Sequence, residues 1–204
     1  MTIRLHRGDL PDLSRYGDSV AIDTETLGLN LQRDRLCVVQ LSPGDGTADV
    51  VQIAPGQTSA PNIERLLTDP SVTKLFHFGR FDIAMMSRAF GVLVAPVYCT
   101  KIASKLARTY TDRHGLKDLA RELLGVDLSK QQQSSDWGAD ALTEAQVAYA
   151  ASDVLYLHAL REKLDAMLAR EGRDAIAAAC FQFLPDRAML DLMGWDEQDI
   201  FAHE

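Results

Sequence analysis

The chain has few cysteines and no long apolar runs. No part of its 204 residues approaches the ~20 uncharged residues of a membrane-spanning helix, and the first residues, with Arg4 and Arg7, lack the apolar segment of a secretion signal. We therefore expect no membrane association and no secretory leader. The three cysteines, Cys37, Cys99 and Cys180, are too far apart for a CxxC metal motif or a paired disulfide framework. These absences favour a protein of the reducing cytoplasm.

Positive charge is also scarce. The 21 lysine and arginine residues face 29 aspartate and glutamate residues, and the net charge is −8. This balance argues against broad, non-specific binding of long duplex DNA through a basic surface. Repeats and long linker-like segments are absent, so we expect one continuous domain over residues 1–204.

Secondary-structure patterns change along the chain from strands to helices. The turn-rich segment Ser42–Thr47 joins two β-rich runs as a predicted hairpin, and Thr143 with Gln146 has the form of a helix capping box. Strands followed by helices predict a layered α/β or α+β domain. The predicted strands are Ser19–Asp23, Leu36–Leu41, Asp49–Ile53 and Thr73–Phe78; the predicted helices are Asn62–Leu67, Phe81–Phe90, Leu116–Leu124 and one long helix from about Thr143, whose apolar stripe continues to Leu164.

Acidic residues occur at three places where carboxylates are useful for chemistry. Because side chains alternate along a strand, Asp23 and Glu25 point to the same side, either as ligands for a hard cation such as Mg²⁺ or as a solvated strand end. Asp82 follows a buried strand and is either a third acid of that site or the N-cap of the next helix. Tyr149 and Asp153 share one helix face. They either orient and activate a water or are a core tyrosine and a surface acid.

The order of these residues is more specific than any one of them. This order resembles the motifs of the DEDD superfamily of 3′-5′ exonucleases, in the subgroup whose last motif begins with tyrosine. The motifs are Asp-x-Glu on a strand, Asp after a later strand and Tyr-x-x-x-Asp on a late helix. The matching segments are Ile22–Glu25, His77–Asp82 and Tyr149–Asp153. Lys130–Trp137 is similar to a K-x-x-Q-x-S-D-W segment of ribonuclease D relatives. The whole chain resembles the short nanoRNase C family of alphaproteobacteria.

The resemblance implies a ribonuclease H-like α/β fold with a mixed sheet flanked by helices, as a single domain without HRDC domains. It also implies hydrolysis of short single-stranded RNA to nucleoside 5′-monophosphates with two divalent cations, Mg²⁺ or Mn²⁺, per site. One cation is expected on Asp23, Glu25 and Asp153. The second is expected on Asp23 and, through water, on Asp82. Tyr149 is expected to position the attacking water.

Substrate-binding residues are expected in the matching motifs and in a basic strip. Leu29 is either a wedge between the last two bases or an ordinary core leucine. The strip, Lys101–Arg121, has six basic residues against two acids and either binds phosphates or is the solvated face of two helices. The resemblance assigns further substrate contacts to Thr24 and His77; the candidates for the substrate's 5′ phosphate are Arg108, Arg113 and His114, and those for shaping the site are Lys130 and Gln133.

Three other functions fit parts of the pattern. Asp23-Thr-Glu-Thr-Leu-Gly28 superficially resembles the nucleophile loop of haloacid-dehalogenase-type phosphatases, but Glu25 stands where that chemistry normally uses aspartate. A second alternative is a non-catalytic nucleic-acid-binding domain with the exonuclease fold. The third is a general RNA and DNA exonuclease that acts in RNA 3′-end processing, because recognition of the 2′-hydroxyl depends on one or two polar groups.

The segment 185–204 is acidic and apolar at once. From Pro185 to Glu204 there are six acids against one base, interleaved with residues such as Trp195 and Phe201. This composition is too apolar for a disordered acidic tail. We expect these side chains to pack on their own domain or on a neighbouring subunit. The resemblance to the nanoRNase C family favours the second arrangement, in a closed ring such as an octamer.

Overall fold

A six-stranded mixed sheet forms the centre of the structure, a computed structural model that describes residues 2–129, 131–132 and 134–203. The strand order is β1-β4-β3-β2-β5-β6. β3 and β4 form the predicted antiparallel hairpin, and β2 runs antiparallel to β3 but parallel to β5. The strands are β1 (Thr2–Arg7), β2 (Ser19–Thr26), β3 (Leu36–Ser42), β4 (Thr47–Gln52), β5 (Thr73–Phe76) and β6 (Val97–Cys99).

The two edge strands, β1 and β6, are absent from the sequence prediction. β1 includes Arg4, His6 and Arg7, and its residues are exposed or only partly buried, so it has no run of apolar residues. β6 has only three residues, too few for a periodic pattern. Edge strands pair on one side only, which leaves a weak signal in the sequence.

Helices cover both faces of the sheet. α2 ends at Gly91, as predicted, where a φ of +69° suits glycine. α4 continues into a π-helical turn, Ala120–Leu124, before Gly125. In the described ranges, none of the helices combines the length and the apolar content needed to cross a membrane. The helices are α1 (Pro61–Thr68), α2 (Arg80–Phe90), α3 (Thr100–Ala107), α4 (Leu116–Leu119), α5 (Glu144–Val154), α6 (Leu157–Arg170) and α7 (Asp174–Leu192).

The predicted long helix from Thr143 to Leu164 is wrong in one respect. The capping box of Thr143 and Gln146 is present, but the helix is broken between α5 and α6 at Leu155 and Tyr156. The apolar residues on both sides of the break remain buried against the sheet. Because the apolar spacing continues through the bend, periodicity contains no signal for the break.

The expected C-terminal segment also begins differently from the prediction. Pro185 lies inside α7, and Ala188 and Asp191 on the following turns are buried. The residues that extend beyond the last helix are therefore 193–203. Most large apolar side chains of this shorter segment are exposed, whereas those of α7 contribute to the core.

The core is divided by the sheet into two layers. Neighbouring residues of a strand contribute to opposite layers: Ile22 packs with α1, α2 and α7, and Ala21 packs with α5 and α6. A sheet covered on both sides explains why β3 is apolar at consecutive positions and buried throughout. The α/β prediction of a mixed sheet flanked by helices is confirmed.

Candidate active site

Three carboxylates from two elements meet at one end of the sheet. Asp23 and Glu25 project from the same side of β2, as the strand alternation predicts, and Asp153 approaches from α5. Each contributes a carboxylate oxygen to a group in which these atoms lie within 4.8 Å of one another. The cross-strand neighbour of Asp23 is Gln40, whose Nε2 donates to Asp23 Oδ2 at 3.2 Å. The packing of α5 against the sheet therefore brings Asp153 close to Asp23 and Glu25, although these residues are far apart in the sequence.

Asp82 lies beside this three-carboxylate cluster in the first turn of α2. Its side chain is buried, and its Oδ1 accepts a hydrogen bond of 2.5 Å from Thr24 Oγ1. The N-cap position of α2 is Gly79, so the interpretation of Asp82 as the N-cap is wrong. Thr24, which lies between the two acids of β2, thus links the fourth carboxylate to the cluster.

The electrostatics of the four carboxyls are dominated by burial and mutual repulsion. Burial, with the charges of Asp153 and Asp82, raises the pKa of Glu25 to about 8. Burial and the charge of Asp82 raise the pKa of Asp153 to about 7, and burial raises that of Asp82 to about 6. The pKa of Asp23 is raised well above its usual range by burial and by the charges of all three neighbours. The cluster therefore needs cations, either protons or metal ions, to hold it together.

The donor set fits a divalent metal ion. Carboxylate oxygens are the ligands that Mg²⁺ and Mn²⁺ prefer, and Asp23, Glu25 and Asp153 already lie close enough to share one ion. Within the described residues no lysine or arginine forms an ion pair with any of these three acids. Their negative charge is thus available to a bound cation.

Tyr149 lies one turn before Asp153 on α5 and lines the same cavity as the cluster. Its ring centroid is 6.0 Å from that of Trp137, which is buried. Burial and the charges of Asp153, Glu25 and Asp23 raise the pKa of the Tyr149 hydroxyl. The phenol therefore keeps its proton at neutral pH and can orient a water by hydrogen bonding.

The cavity around the cluster has a volume of about 320 Å³. His77, a predicted substrate contact, lies on its wall, and its Nδ1 is 2.9 Å from Thr100 Oγ1. Lys101 and Lys117 of the basic strip line the same wall. Positive charge from the strip thus reaches the edge of an otherwise acidic cavity.

Phe78 was not singled out by the sequence, although it separates this cavity from a larger one. Its backbone has a φ of +63°, a conformation that non-glycine residues rarely adopt, and its ring is 52% exposed. Lys101 Nζ lies 3.8 Å from the ring centroid. From the sequence, an aromatic residue at the end of an apolar run is predicted to be a core residue. The local signal for a different role of Phe78 is the unusual sequence Phe-His-Phe-Gly at the end of β5.

Leu29 lines the larger cavity, which has a volume of about 570 Å³ and also includes Phe78 and Phe81. Its side chain is 84% exposed, so the interpretation as a core leucine is wrong. The wedge role remains a prediction, and the position suits it: an exposed apolar side chain lines a cavity that shares Phe78 with the carboxylate cavity.

Arg108 requires a correction to the predicted phosphate-binding set. Its side chain is fully buried, and it donates to Ser104 Oγ at 2.9 Å, to the Arg113 carbonyl at 2.7 Å and to the carboxylate of Glu122. A guanidinium enclosed by these partners does not reach a substrate phosphate. Arg108 instead fixes the loop that bears Arg113 and His114.

The other predicted phosphate contacts lie closer to the surface. Arg113 is exposed, and His114 is partly buried with its Nδ1 2.8 Å from Ser104 Oγ. Both residues directly precede Gly115, which lines the carboxylate cavity. Lys130 and Gln133 lie outside the described residues.

Comparison with known proteins identifies the family. A family model described as a 3′-5′ exonuclease matches residues 10–169. The chain belongs to this 3′-5′ exonuclease family. Ribonuclease D of Gluconacetobacter diazotrophicus is 38% identical over 169 residues, 83% of this chain and 42% of that protein. The chain thus spans about two fifths of the length of this curated relative.

Solved structures match the chain over its full length. Brucella melitensis NrnC with bound Mg²⁺ is 65% identical, with a TM-score of 0.97, and the match covers 100% of both chains. The same protein bound to pGG is 66% identical, with a TM-score of 0.98 and the same coverage. These similarities confirm the predicted ribonuclease D-like family and fold, and they contradict the phosphatase alternative.

Proposed function

We propose that this exonuclease hydrolyses short single-stranded RNA from the 3′ end and releases nucleoside 5′-monophosphates. The observation that carries the proposal is the cavity in which three clustered carboxylates and a protonated Tyr149 occur together, with Asp82 hydrogen-bonded to Thr24 on the cavity wall. The full-length similarity to NrnC, a protein solved with Mg²⁺ and with pGG, supports the choice of short RNA. A cytoplasmic location is part of the same proposal.

The proposal assigns two divalent cations, Mg²⁺ or Mn²⁺, to the four carboxylates. Asp23, Glu25 and Asp153 would hold the first, and Asp23 with Asp82 would hold the second. Bound cations of this kind supply positive charge that activates water and stabilises the leaving oxygen of a phosphodiester. The Asp82–Thr24 hydrogen bond keeps the Asp82 carboxylate oriented beside the cluster.

The remaining residues act on the substrate directly. Tyr149 orients the attacking water through a hydroxyl that stays protonated. Leu29 separates the terminal base from its neighbour, and exposed Arg113 with His114 contacts the 5′ phosphate at the far end of a short strand. A fixed distance between this contact and the carboxylates would favour the shortest substrates.

A time course on 5′-labelled oligomers of two to about ten nucleotides, RNA and DNA, with Mg²⁺ or Mn²⁺, tests the proposal. We expect dinucleotide RNA to be cleaved fastest and to give only mononucleotides. Efficient cleavage of long strands of both sugars would favour the general exonuclease, and metal-dependent binding without any product would favour the non-catalytic domain.

The 5′ contact has a separate test. Arg113→Ala should raise the KM for a 5′-phosphorylated dinucleotide by about tenfold, the effect of one charge-assisted contact, and leave kcat nearly unchanged. Arg65→Ala, which removes an exposed arginine on α1 outside the cavity, is the matched control. Equal effects of the two substitutions, or no preference for the 5′ phosphate, would remove Arg113 from the site.

Self-association through the C-terminal segment is also proposed. Arg80 Nη2 donates to the Asp196 carbonyl at 2.7 Å, and Arg187 Nη2 donates to the Trp195 carbonyl at 3.0 Å, so the segment's backbone is fixed to its own domain. Its apolar side chains still face outward, with Phe201 74% exposed and Ile200 47% exposed. A fixed, acidic and apolar surface suits a subunit interface in a closed oligomer.

Sedimentation of the whole chain and of a chain ending at Leu192 tests this role. The cut leaves α7 intact, whereas a cut before Pro185 would divide it. We expect an oligomer for the whole chain and a smaller species for the truncated chain and for the double variant Ile200→Ser, Phe201→Ser. A monomeric whole chain, or unchanged oligomers after truncation, would contradict the proposal.

A further inference from the structure

His77 is held in one orientation by a buried threonine. Its Nδ1 lies 2.9 Å from Oγ1 of Thr100, which is fully buried at the start of α3. The same hydroxyl donates to the backbone carbonyl of Phe76 at 3.2 Å. The ring is thus fixed between the end of β5 and the first turn of α3.

This arrangement determines which ring nitrogen bears the proton. A threonine hydroxyl has a single hydrogen, and the Phe76 carbonyl can only accept one. With that hydrogen donated to Phe76, we assign the donor of the hydrogen bond between His77 and Thr100 as Nδ1–H. A neutral imidazole protonated at Nδ1 has a lone pair at Nε2.

The ring stays neutral under ordinary conditions. Burial, together with the charge of nearby Lys101, lowers the pKa of His77 to about 3. No residue of the described ranges forms a hydrogen bond with Nε2, and the side chain lines the cavity that contains Asp23, Glu25 and Asp153. The site therefore offers an uncharged hydrogen-bond acceptor next to the proposed catalytic centre.

The chemistry of an acceptor restricts what it can contact. The oxygens of a phosphodiester are acceptors and would repel the Nε2 lone pair. A nucleotide offers hydrogen-bond donors on its sugar hydroxyls and on some base edges. Base donors differ among the four nucleotides, whereas the sugar hydroxyls are common to all of them, and an exonuclease that removes successive nucleotides must accept each one.

We propose that His77 Nε2 accepts a hydrogen bond from a hydroxyl of the 3′-terminal ribose and thereby selects the sugar of the nucleotide that is released. The inference rests on the proposed function, because it places the 3′-terminal nucleotide in the carboxylate cavity. It extends that function by naming a residue for sugar recognition and by naming Thr100 as the residue that positions it.

The contact is tested by calorimetric binding of AMP, 2′-deoxy-AMP and 3′-deoxy-AMP with Mg²⁺ to the wild type, His77→Leu and His77→Gln. In the wild type, loss of the contacted hydroxyl should weaken binding by about threefold to tenfold, the range of one neutral hydrogen bond. The leucine variant should lose this discrimination. The glutamine variant, whose amide oxygen is an acceptor, should keep part of it.

The two deoxy ligands identify the hydroxyl. Discrimination against 2′-deoxy-AMP alone makes His77 a determinant of RNA over DNA, and discrimination against 3′-deoxy-AMP alone makes it a reader of the free 3′ end. Equal weakening of all three ligands by His77→Leu would overturn the proposal. Binding of these product nucleotides does not require turnover, so failure of hydrolysis and failure of the sugar contact are separate results.

Nitrogen-15 NMR of the histidine side chains tests the tautomer directly. We expect the Nδ1-protonated form for His77 in the wild type and a mixture in Thr100→Val, together with reduced hydroxyl discrimination in that variant. An Nε2-protonated ring in the wild type would overturn the proposal. Thermal unfolding of each variant checks that it is folded, and His77→Gln provides the decision if the buried Thr100 substitution is not tolerated.

Discussion

Two aspartates on neighbouring parts of the same sheet have opposite surroundings. Asp49 on β4 accepts hydrogen bonds from His6 at 2.9 Å, from Arg15 at 2.7 Å and from the Tyr16 hydroxyl at 2.8 Å. Asp23 on β2 accepts a bond of 3.2 Å from the uncharged amide of Gln40, and the charges of Asp82, Asp153 and Glu25 raise its pKa. The fold compensates the charge of Asp49 by itself. Among the described residues no basic side chain forms an ion pair with Asp23, so its charge is left for a bound cation.

The comparison shows how a functional charge differs from a structural one. A buried charge with a full set of partners is compensated within the fold, as Arg108 is by Glu122, Ser104 and the Arg113 carbonyl, and removal of a partner would destabilise the folded state. A group of like charges without counter-ions destabilises the metal-free protein and is retained where chemistry requires it. Each of the following experiments changes one side of this contrast.

The largest effect is expected from Asp23→Asn, which removes the one carboxylate assigned to both cations. Hydrolysis should fall by a factor on the order of 10³ or more, because several kcal/mol of transition-state stabilisation are lost. The melting temperature of the metal-free protein should stay the same or rise, since a repelling charge is gone. Activity within tenfold of the wild type would contradict the two-cation assignment.

The second effect concerns the hydroxyl that borders the acidic cluster. Tyr149→Phe keeps the ring against Trp137 and removes only the oxygen. We expect a decrease in kcat of about 10²-fold, typical of the loss of a group that orients or exchanges a proton. Calorimetric titration with Mg²⁺ should show metal binding unchanged. An unchanged rate would return Tyr149 to the role of a core tyrosine.

The opposite result, a loss of stability without a loss of activity, is expected for Asp49, whose charge is compensated by the fold. Asp49→Asn should lower the free energy of unfolding by about 1.5–3 kcal/mol, the range for hydrogen bonds to charged groups, because the partners Arg15 and Tyr16 lose a buried anion. Denaturant titration measures the loss, and the folded fraction should hydrolyse dinucleotides at the wild-type rate. A variant as stable as the wild type would mean that Asp49 is no better compensated than Asp23.

The same contrast explains what the sequence predicted. The grouping of the proposed catalytic residues was predictable because chemistry requires particular residue types at particular spacings, so Asp23, Glu25 and Tyr149, which line one cavity, are recognisable by pattern. The hairpin, the capping box at Thr143 and the end of α2 at Gly91 were predictable because they depend on local residues. These features need no knowledge of distant contacts.

Features that depend on tertiary packing were predicted poorly. Arg108 belongs to a basic strip by composition, and only the folded chain shows that Glu122 and Ser104 enclose it. The break before Leu157 interrupts no apolar pattern, and Phe78 is a common core residue type in an uncommon backbone conformation. In each case the structure depends on a contact or a dihedral angle that the spacing of residues in the sequence does not predict.

The smallest effect is a pH dependence of stability in the metal-free protein. Glu25 and Asp153 have pKa values raised to about 8 and about 7, so the folded state retains protons that the unfolded chain has already released. Their stabilising contribution is complete below the unfolded pKa values and is lost as the pH rises through the folded ones. The melting temperature in EDTA should therefore fall by a few degrees between pH 6.5 and pH 8.

The lower limit of this range reduces the contribution of the histidines. His77, His114 and His158 have lowered pKa values and contribute stability in the opposite direction, most of which is lost as the pH falls below the ordinary histidine value of 6.5. Added Mg²⁺ should raise the melting temperature more at pH 8 than at pH 6.5, because cations then no longer compete with protons for the carboxylates. Glu25→Gln removes a carboxyl whose pKa is raised into this range, to about 8, and should flatten the curve in EDTA. A metal-free melting temperature that rises with pH over this range would contradict the description of Asp23, Glu25 and Asp153 as an uncompensated cluster.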